Sequence, residues 1–382
     1  MDLKKIGILT YYHNSTNYGG NLQAYALCRK LNQLGYDAEQ ICFDANAKNK
    51  PGSIAEKLKH LLRGMKRKAV NLFQRKNEKK NRQLLKERRA AFAYFARELI
   101  PHSERVYNAQ TIIEANELYD CFVAGSDQIW NLDWYVPTYF LDFVNQQKTK
   151  VSYAASFGIS QFSAEQKEII KQHLKDYKML SLRESSPLET EGVFPFEVKV
   201  LADPTLLLTA EDWSQIASPA VTGKKYMFCY FFGNNQESRK LANEYAKING
   251  LKIFTIPHLN GENSLDVRFG NFQMEACTPE TFLSLIKHAE CIFTDSFHAV
   301  VFSYLFKKQF FVFKRSQKDS MSSRISSITE LFGAKDRFFC EEKRMSIEHI
   351  QGVADLNYDV ENDRLSKLIH ESEAFLANIK NI

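Results

Sequence analysis

Short apolar runs alternate with helix-like segments along the chain. In the first half, runs at 5–12, 36–43, 119–125 and 149–157 predict buried strands. A second series predicts strands at 178–182, 198–202, 225–232, 251–256 and 310–313. Between these runs, apolar residues recur at helical spacing over 22–31, 163–177, 236–249, 279–289 and 362–379. Strands that alternate with helices predict an α/β protein with parallel sheets.

The length of 382 residues favours two domains, each with its own core. Because the pattern restarts after a hinge near 205–222, we predict two Rossmann-like domains, at 1–205 and 206–361, with a cleft between them. A basic helical insertion is predicted at about 53–99. The last segment, 362–382, is predicted as a helix that packs back across the molecule.

One stretch combines a buried strand, a polar turn and a helix. Cys291–Thr294 is apolar, Asp295, Ser296 and His298 follow, and the apolar residues from 299 to 306 keep helical spacing. In open α/β sheets such a turn is where ligands bind, at a helix N-terminus that favours anions. The same residues are also typical of a helix cap above a packed histidine. The sequence leaves both interpretations open.

Other predicted strands also end in polar residues. The loop at 13–21 contains Gly19-Gly20, which permits close backbone approach to a ligand but is equally typical of a plain turn. The run at 126–131 ends in Trp130 and Asn131, and later strands lead to Arg183 and Asp203. Arg183 could pair with Glu184, and Asp203 before Pro204 could merely shape a turn.

Charge is unevenly distributed. Residues 57–97 contain 15 Lys and Arg and two Glu, a local balance of +13 within a total of +6. Such a segment is typical of a solvated helix packed on its domain by an apolar stripe, and this stripe would comprise Leu58, Leu61, Leu62, Met65, Ala69, Leu72 and Phe73. Peripheral contact with an anionic membrane is the second interpretation. Nucleic-acid binding is not expected, because no nucleic-acid motif accompanies the charge.

The seven cysteines form no CxxC pair and mostly lie in apolar runs. This spacing predicts reduced, buried thiols and neither a metal site nor a disulfide framework. The N-terminus enters a strand directly, and no window has the roughly 18 apolar residues of a membrane span. We therefore expect a cytoplasmic protein.

Six separated motifs together resemble the polysaccharide pyruvyl transferase family. They are the loop and helix at 17–27, Gly-Ser-Asp-Gln-Ile-Trp-Asn at 125–131, Tyr-Ala-Ala-Ser-Phe-Gly at 153–158, Ser-Leu-Arg-Glu at 181–184, Ala-Asp-Pro-Thr-Leu-Leu-Leu at 202–208 and Thr-Asp-Ser-Phe-His at 294–298. The resemblance implies a glycosyltransferase-B-like fold. It also implies transfer of pyruvate from phosphoenolpyruvate to a sugar as a ketal, a reaction that requires no cofactor.

The resemblance nominates site residues and includes one departure. Many family members carry Gly-x-Arg-x-His at the second-domain turn, whereas Ser296 stands here in the place of that arginine. Donor binding is therefore assigned to Arg183 and Ser296 with Arg324 or Arg315, since guanidinium groups suit carboxylate and phosphate. The remaining candidates are His298 and Asp127 for catalysis, Asn17, Tyr18, Asn21 and Trp130 for the acceptor, and Asp203 and Asp295 without an assigned role.

Two rival functions are compatible with the same pattern. A glycosyltransferase with a nucleotide-sugar donor would use the same fold, because fold does not determine function. A non-catalytic module that binds glycan or membrane would depend on the charge of 57–97 rather than on His298. For the transferase, the expected partners are phosphoenolpyruvate and a sugar or lipid-linked oligosaccharide.

Overall fold

A computed structural model gives the fold of the chain. It describes residues 3–45, 47, 72–159, 161–258, 264–315, 322–340 and 345–382. Within these ranges the architecture is α/β with parallel sheets, as predicted.

The first sheet has four parallel strands in the order β2–β1–β3–β4. These are β1 (Lys5–Leu9), β2 (Asp37–Gln40), β3 (Cys121–Ala124) and β4 (Thr149–Ser152), with α1 (Tyr18–Gln33), α2 (Leu72–Leu99) and α3 (Ala164–Leu174) between or after them. Beyond β4, the short parallel pair β5 (Ser181–Leu182) and β6 (Lys199–Val200) extends the layer through isolated bridges. Parallel pairing brings the carboxyl ends of these strands to one edge.

The second sheet has six parallel strands in the order β12–β11–β10–β7–β8–β9. Its strands are β7 (Tyr226–Tyr230), β8 (Lys252–Thr255), β9 (Phe272–Gln273), β10 (Cys291–Thr294), β11 (Gln309–Phe313) and β12 (Phe338–Phe339). The helices of this half are α4 (Ala210–Ile216), α5 (Gln236–Ile248), α6 (Pro279–Lys287), α7 (Phe297–Leu305), α8 (Ser322–Leu331) and α9 (Ile347–Gly352). As in the first sheet, parallel pairing brings the carboxyl ends of these strands to one edge.

The two halves share a large apolar core. One buried cluster includes Ile6 and Leu22 from the first half and Phe282 and Val300 from the second. Tyr18, at the start of α1, donates its hydroxyl to the carbonyl of Cys277 at 2.9 Å and stacks on Phe282 at 4.7 Å. The cleft therefore closes at its base over packed side chains from both halves.

The C-terminal helix α10 (Asp363–Ala377) lies against the first half of the chain. The hydroxyl of Tyr36 donates to the carbonyls of Leu376 and Ala377, at 2.8 and 2.9 Å. The backbone N–H of Ala202 donates to the Ser372 hydroxyl at 3.0 Å. The chain thus crosses from the second half back to the first.

Arg88, a buried residue of helix α2, connects the two halves. The Arg88 guanidinium donates to the carbonyl of Glu275 at 2.6 and 2.9 Å and to that of Pro257 at 3.1 Å. The side chains of the predicted apolar stripe at 58–73 lie outside the described residues. Contact of 57–97 with an anionic membrane stays a prediction, as does a cytoplasmic location.

Several strands are shorter than predicted. β1 ends at Leu9 rather than at 12, and β4 ends at Ser152 rather than at 157. Beyond β4, Ala154 has a left-handed backbone with φ of 45°, which no regular strand accommodates. All seven cysteines are free thiols, and Cys340 is the exposed one. No helix in the described ranges has the length and apolarity needed to cross a membrane.

Candidate functional site

A cavity of about 480 Å³ opens between the two halves. Its first-half wall comprises Tyr11, Ser15, Asn17, Tyr18, Gly19, Asp127, Gln128 and Trp134, and its second-half wall comprises Tyr230, Phe232, Phe282, Ser296, Phe297, His298, Arg315 and Arg324. The prediction that polar strand ends meet in an inter-domain cleft is confirmed.

Two helix N-termini converge on this cavity. The Asn17 side chain caps α1 by accepting from the N–H of Gly20 at 3.1 Å. Ser296 caps α7 by accepting from the N–H of Ala299 at 3.4 Å. Because N–H groups and the helix dipole favour negative charge, two such termini on one cavity create an anion-binding environment. Ser296 is therefore a cap and also lines the cavity.

Asp295 has a different position from its neighbour. Its carboxylate accepts from the N–H groups of Phe232 and Gly233, both at 2.7 Å. It thereby fixes the loop after β7 against the end of β10 and does not line the cavity. Asp295 thus shapes the second-half wall from behind.

The imidazole of His298 lies directly against Gly19 of α1. A Cβ at position 19 would lie 1.9 Å from Nδ1 of His298, well inside van der Waals contact. Only glycine therefore lets the first turn of α1 approach the imidazole this closely. The Gly19-Gly20 pair is part of a helix and not of a plain loop.

Asp203 joins the two halves beneath the cavity. Its Oδ1 accepts from the N–H and hydroxyl of Thr205, while its Oδ2 accepts from Nη1 of Arg183 at 2.7 Å. Nε2 of His298 lies 3.6 Å from the same Oδ2. Burial alone would raise the pKa of Asp203, but His298 and Arg183 outweigh it and hold that pKa well below its usual range.

Asp127 reaches the cavity from the end of β3. Its backbone is left-handed with φ of 67°, an uncommon conformation that here turns the chain and is held by the Ser156 N–H donating to its carbonyl at 2.9 Å. Nη2 of Arg183 lies 3.3 Å from its carboxylate. Burial would raise the pKa of Asp127, yet Arg183, His298 and Arg324 together lower it, so the carboxylate is ionised at neutral pH.

Arg183 itself is set back from the cavity. It lies behind Asp127 and Asp203, and its guanidinium stacks over the Phe297 ring with 4.6 Å to the ring centre. Two carboxylates therefore already balance its charge. Arg183 and His298 both face Oδ2 of Asp203, but Arg183 does not line the cavity.

Arg315 and Arg324 lie on the cavity wall and come from the ends of β11 and α8. The Gln128 amide faces Arg324 across the cleft, and hydrogen bonding assigns its oxygen to the side of α8, where it accepts from both terminal nitrogens of Arg324. Burial, and next the nearby Arg183 charge, lower the pKa of Arg324 to about 10, so it remains cationic at neutral pH. Arg315 stacks over Phe232 at 4.6 Å. Sequence reasoning missed Gln128, whose neighbour Asp127 was the residue with recognisable chemistry.

Comparison with known proteins decides the family. The model of the polysaccharide pyruvyl transferase family matches residues 17–317, more than half of the chain. The chain belongs to the polysaccharide pyruvyl transferase family. No curated protein matches it in sequence.

Solved structures similar to this family member share its fold. UDP-GlcNAc 2-epimerase from Methanocaldococcus jannaschii aligns with a TM-score of 0.59 and 13% identity over 100% of both chains. A putative UDP-N-acetylglucosamine 2-epimerase from Listeria monocytogenes aligns with 0.54 and 11%, over 99% of this chain and 94% of its own. The likeness shows the glycosyltransferase-B-like arrangement of two Rossmann-like domains and concerns the fold alone.

Within this pyruvyl transferase family member, some predicted site residues lie away from the cavity. Trp130 is fully buried, with its ring stacked on Phe140, so it offers no face to a sugar. Asn21 is also buried and donates to the carbonyls of Ser15 and Asn17, which shapes the loop before α1. Tyr18 reaches the cavity, although its hydroxyl is bonded to Cys277.

Proposed function

We propose that this protein transfers the pyruvyl unit of phosphoenolpyruvate to two hydroxyls of one sugar as a ketal, in polysaccharide biosynthesis. Membership of the polysaccharide pyruvyl transferase family supports the reaction class. The observation that carries the proposal is the cavity itself. There, two helix N-termini and two guanidinium groups surround a volume next to an imidazole and a carboxylate.

The donor is a small molecule with two anionic groups, a carboxylate and a phosphate. We assign one to the N-terminus of α7, where Ser296 and the first N–H groups lie, and the other to Arg324 with Arg315. Arg324 then supplies the cation that many family members carry at position 296. Arg183 holds Asp127 and Asp203 ionised and in place, and it influences the donor only through these two carboxylates.

The reaction balances without a cofactor. One sugar hydroxyl adds to C2 of phosphoenolpyruvate while the methylene carbon gains a proton, which gives a methyl group and a tetrahedral phosphate ester. The C–O bond to phosphate then breaks, and the second hydroxyl adds to C2. Its proton leaves with the phosphate, so that one donor and one diol give one ketal and one hydrogen phosphate.

Two side chains are proposed to move the protons. Asp127, held as a carboxylate, accepts the hydrogen bond and then the proton of the attacking hydroxyl, and this proton returns to His298 through solvent before the next turnover. His298, whose Nε2 lies 3.6 Å from the Asp203 carboxylate, donates a proton to the methylene carbon. Because Asp127 belongs to the first half and His298 to the second, the proposed chemistry requires both halves of the protein.

Phosphate release tests the proposal. The protein is incubated with phosphoenolpyruvate and a panel of methyl pyranosides, namely glucoside, galactoside, mannoside and their N-acetylated counterparts. We expect sugar-dependent phosphate release that His298→Ala abolishes and that Arg324→Ala reduces mainly through a raised KM for phosphoenolpyruvate. Gly223→Ala, at a position with no atom near its Cβ, is the matched control. Release of UDP from UDP-GlcNAc, without phosphate from phosphoenolpyruvate, would instead favour a nucleotide-sugar transferase.

A further inference from the structure

The three tryptophans of the chain have contrasting environments. Trp130 and Trp213 are fully buried, whereas Trp134 is 51% exposed and lines the mouth of the inter-domain cavity. Other large apolar side chains are exposed on the described surface, but Trp134 is the one that also forms part of this wall. Its exposure is therefore associated with the site.

The backbone around Trp134 is a capped turn. Trp134 ends the short 3₁₀ helix Leu132–Trp134, which Asn131 caps by accepting from the N–H of Asp133 at 2.9 Å. Immediately before the cap, the Trp130 indole N–H donates to the carbonyl of Tyr139 at 3.1 Å, and its ring stacks on Phe140. The motif at 125–131 thus anchors one indole in the core, and the turn that follows places the next one at the cavity.

The cavity wall contains both charged and apolar groups. Asp127, Arg315 and Arg324 carry charge, while Trp134 follows Asp127 in the same loop on the first-half side. A small dianion satisfies the charged groups but has no surface for an indole face. A pyranose does, because its C–H face is apolar and its hydroxyls point outward from the ring edge.

We propose that Trp134 is the stacking platform of the acceptor sugar, with the pyranose ring against the indole and its reacting hydroxyls toward Asp127. The assignment rests on the proposed function, since it names the acceptor subsite of the same cavity. It replaces Trp130, which the sequence named as a candidate for the acceptor. Trp134 is accordingly a binding residue that sets acceptor affinity and leaves donor binding unchanged.

Fluorescence quenching tests the contact directly and does not depend on turnover. With Trp130 and Trp213 buried, acrylamide should quench chiefly the emission of Trp134. A saturating methyl pyranoside from the panel is expected to protect that emission, whereas phosphoenolpyruvate alone is not. Protection by none of the glycosides, or protection that persists in Trp134→Phe, would overturn the assignment.

Steady-state kinetics give a second readout. Trp134→Ala is expected to raise the acceptor KM about tenfold or more, with the KM for phosphoenolpyruvate unchanged, since loss of one stacked aromatic face corresponds to roughly a factor of ten. Trp134→Tyr should recover most of the loss. Tyr94→Ala removes an aromatic residue that is 57% exposed on α2, away from the cavity, and should leave both constants unchanged.

The outcomes separate this inference from the proposed function. Protection of Trp134 by a glycoside without phosphate release would leave the stacking platform in place and refute the pyruvyl transfer. Sugar-dependent phosphate release with an unchanged acceptor KM in Trp134→Ala would refute the platform and leave the transfer in place.

Discussion

Because Gly19 has no Cβ, α1 of the first half can pack directly against His298 of the second half. Alanine at this position would contact Nδ1 of His298 at 1.9 Å, and the contact is relieved only if the imidazole or the start of α1 shifts. A displacement of about 1 Å at a reacting group can cost on the order of 100-fold in rate. We expect Gly19→Ala to lower kcat/KM for phosphate release by about that factor. Near-normal activity would show that the position of this imidazole does not matter.

Asp203 makes stability depend on pH. Its folded-state pKa is depressed, so its ion pairs stabilise the fold above the unfolded pKa of about 4 and are lost as pH falls toward the folded value. Removing one partner of a buried pair costs about 3–5 kcal/mol. Asp203→Asn should therefore lower the free energy of unfolding by that amount at neutral pH.

Urea titrations at several pH values measure this difference. The difference in unfolding free energy between the wild type and Asp203→Asn should narrow as the pH falls below about 4, because the Asp203 carboxylate of the unfolded wild-type chain then takes up a proton while that of the folded chain stays ionised. Asp37→Asn, at an exposed carboxylate, serves as the control and should change little at any pH. A difference in unfolding free energy that stays constant down to acid pH would contradict the electrostatic explanation.

Helix α1 illustrates what local sequence can and cannot predict about an element. Apolar spacing predicted a helix from Leu22, and the helix is there, but it begins four residues earlier, at Tyr18. Glycine is a poor helix former, so Gly19-Gly20 favoured a loop on propensity. The Asn17 cap and the packing of Gly19 on His298 outweigh that preference. The cap is local in sequence, whereas His298 belongs to the other half of the chain and could not be foreseen from the residues around Gly19.

A further prediction concerns the contribution of Arg88 in helix α2 to stability. Arg88 satisfies two carbonyls of the second half, and loss of charged hydrogen bonds of this kind costs about 1.5–3 kcal/mol. We expect Arg88→Met to lower the free energy of unfolding by that amount, measured by urea titration. Arg89→Met changes the exposed neighbour on the same helix and should stay within about 0.5 kcal/mol of the wild type. An equal loss of unfolding free energy in the two variants would mean that the net charge of the helix, and not the contact of Arg88 with the second half, determines stability.

At the scale of the molecule, the alternation of strands and helices was enough to predict two Rossmann-like domains and their cleft. The sheet order and the inter-domain contacts were beyond reach, because they join residues such as Tyr18 and Cys277, which are 259 positions apart. For the same reason, the sequence could not show which of Trp130 and Trp134 lines the cavity. Both lie after one strand, and nothing local distinguishes the indole that enters the core from the one that lines the cavity.

The return of α10 to the first half predicts that the domains do not fold independently. The last helix and the residues after it bury Leu365, Phe375, Leu376 and Ile379. At about 1.5–3 kcal/mol for each buried apolar side chain, their removal costs on the order of 6–12 kcal/mol, comparable to the whole stability of a typical domain. Deletion of 363–382 should therefore abolish the cooperative thermal transition seen by circular dichroism. Phe375→Ala should retain that transition at a lower temperature, and His370→Ala, on the exposed face of α10, should leave it unchanged. A truncated chain that still melts cooperatively near the wild-type temperature would show that the first domain is complete without this helix.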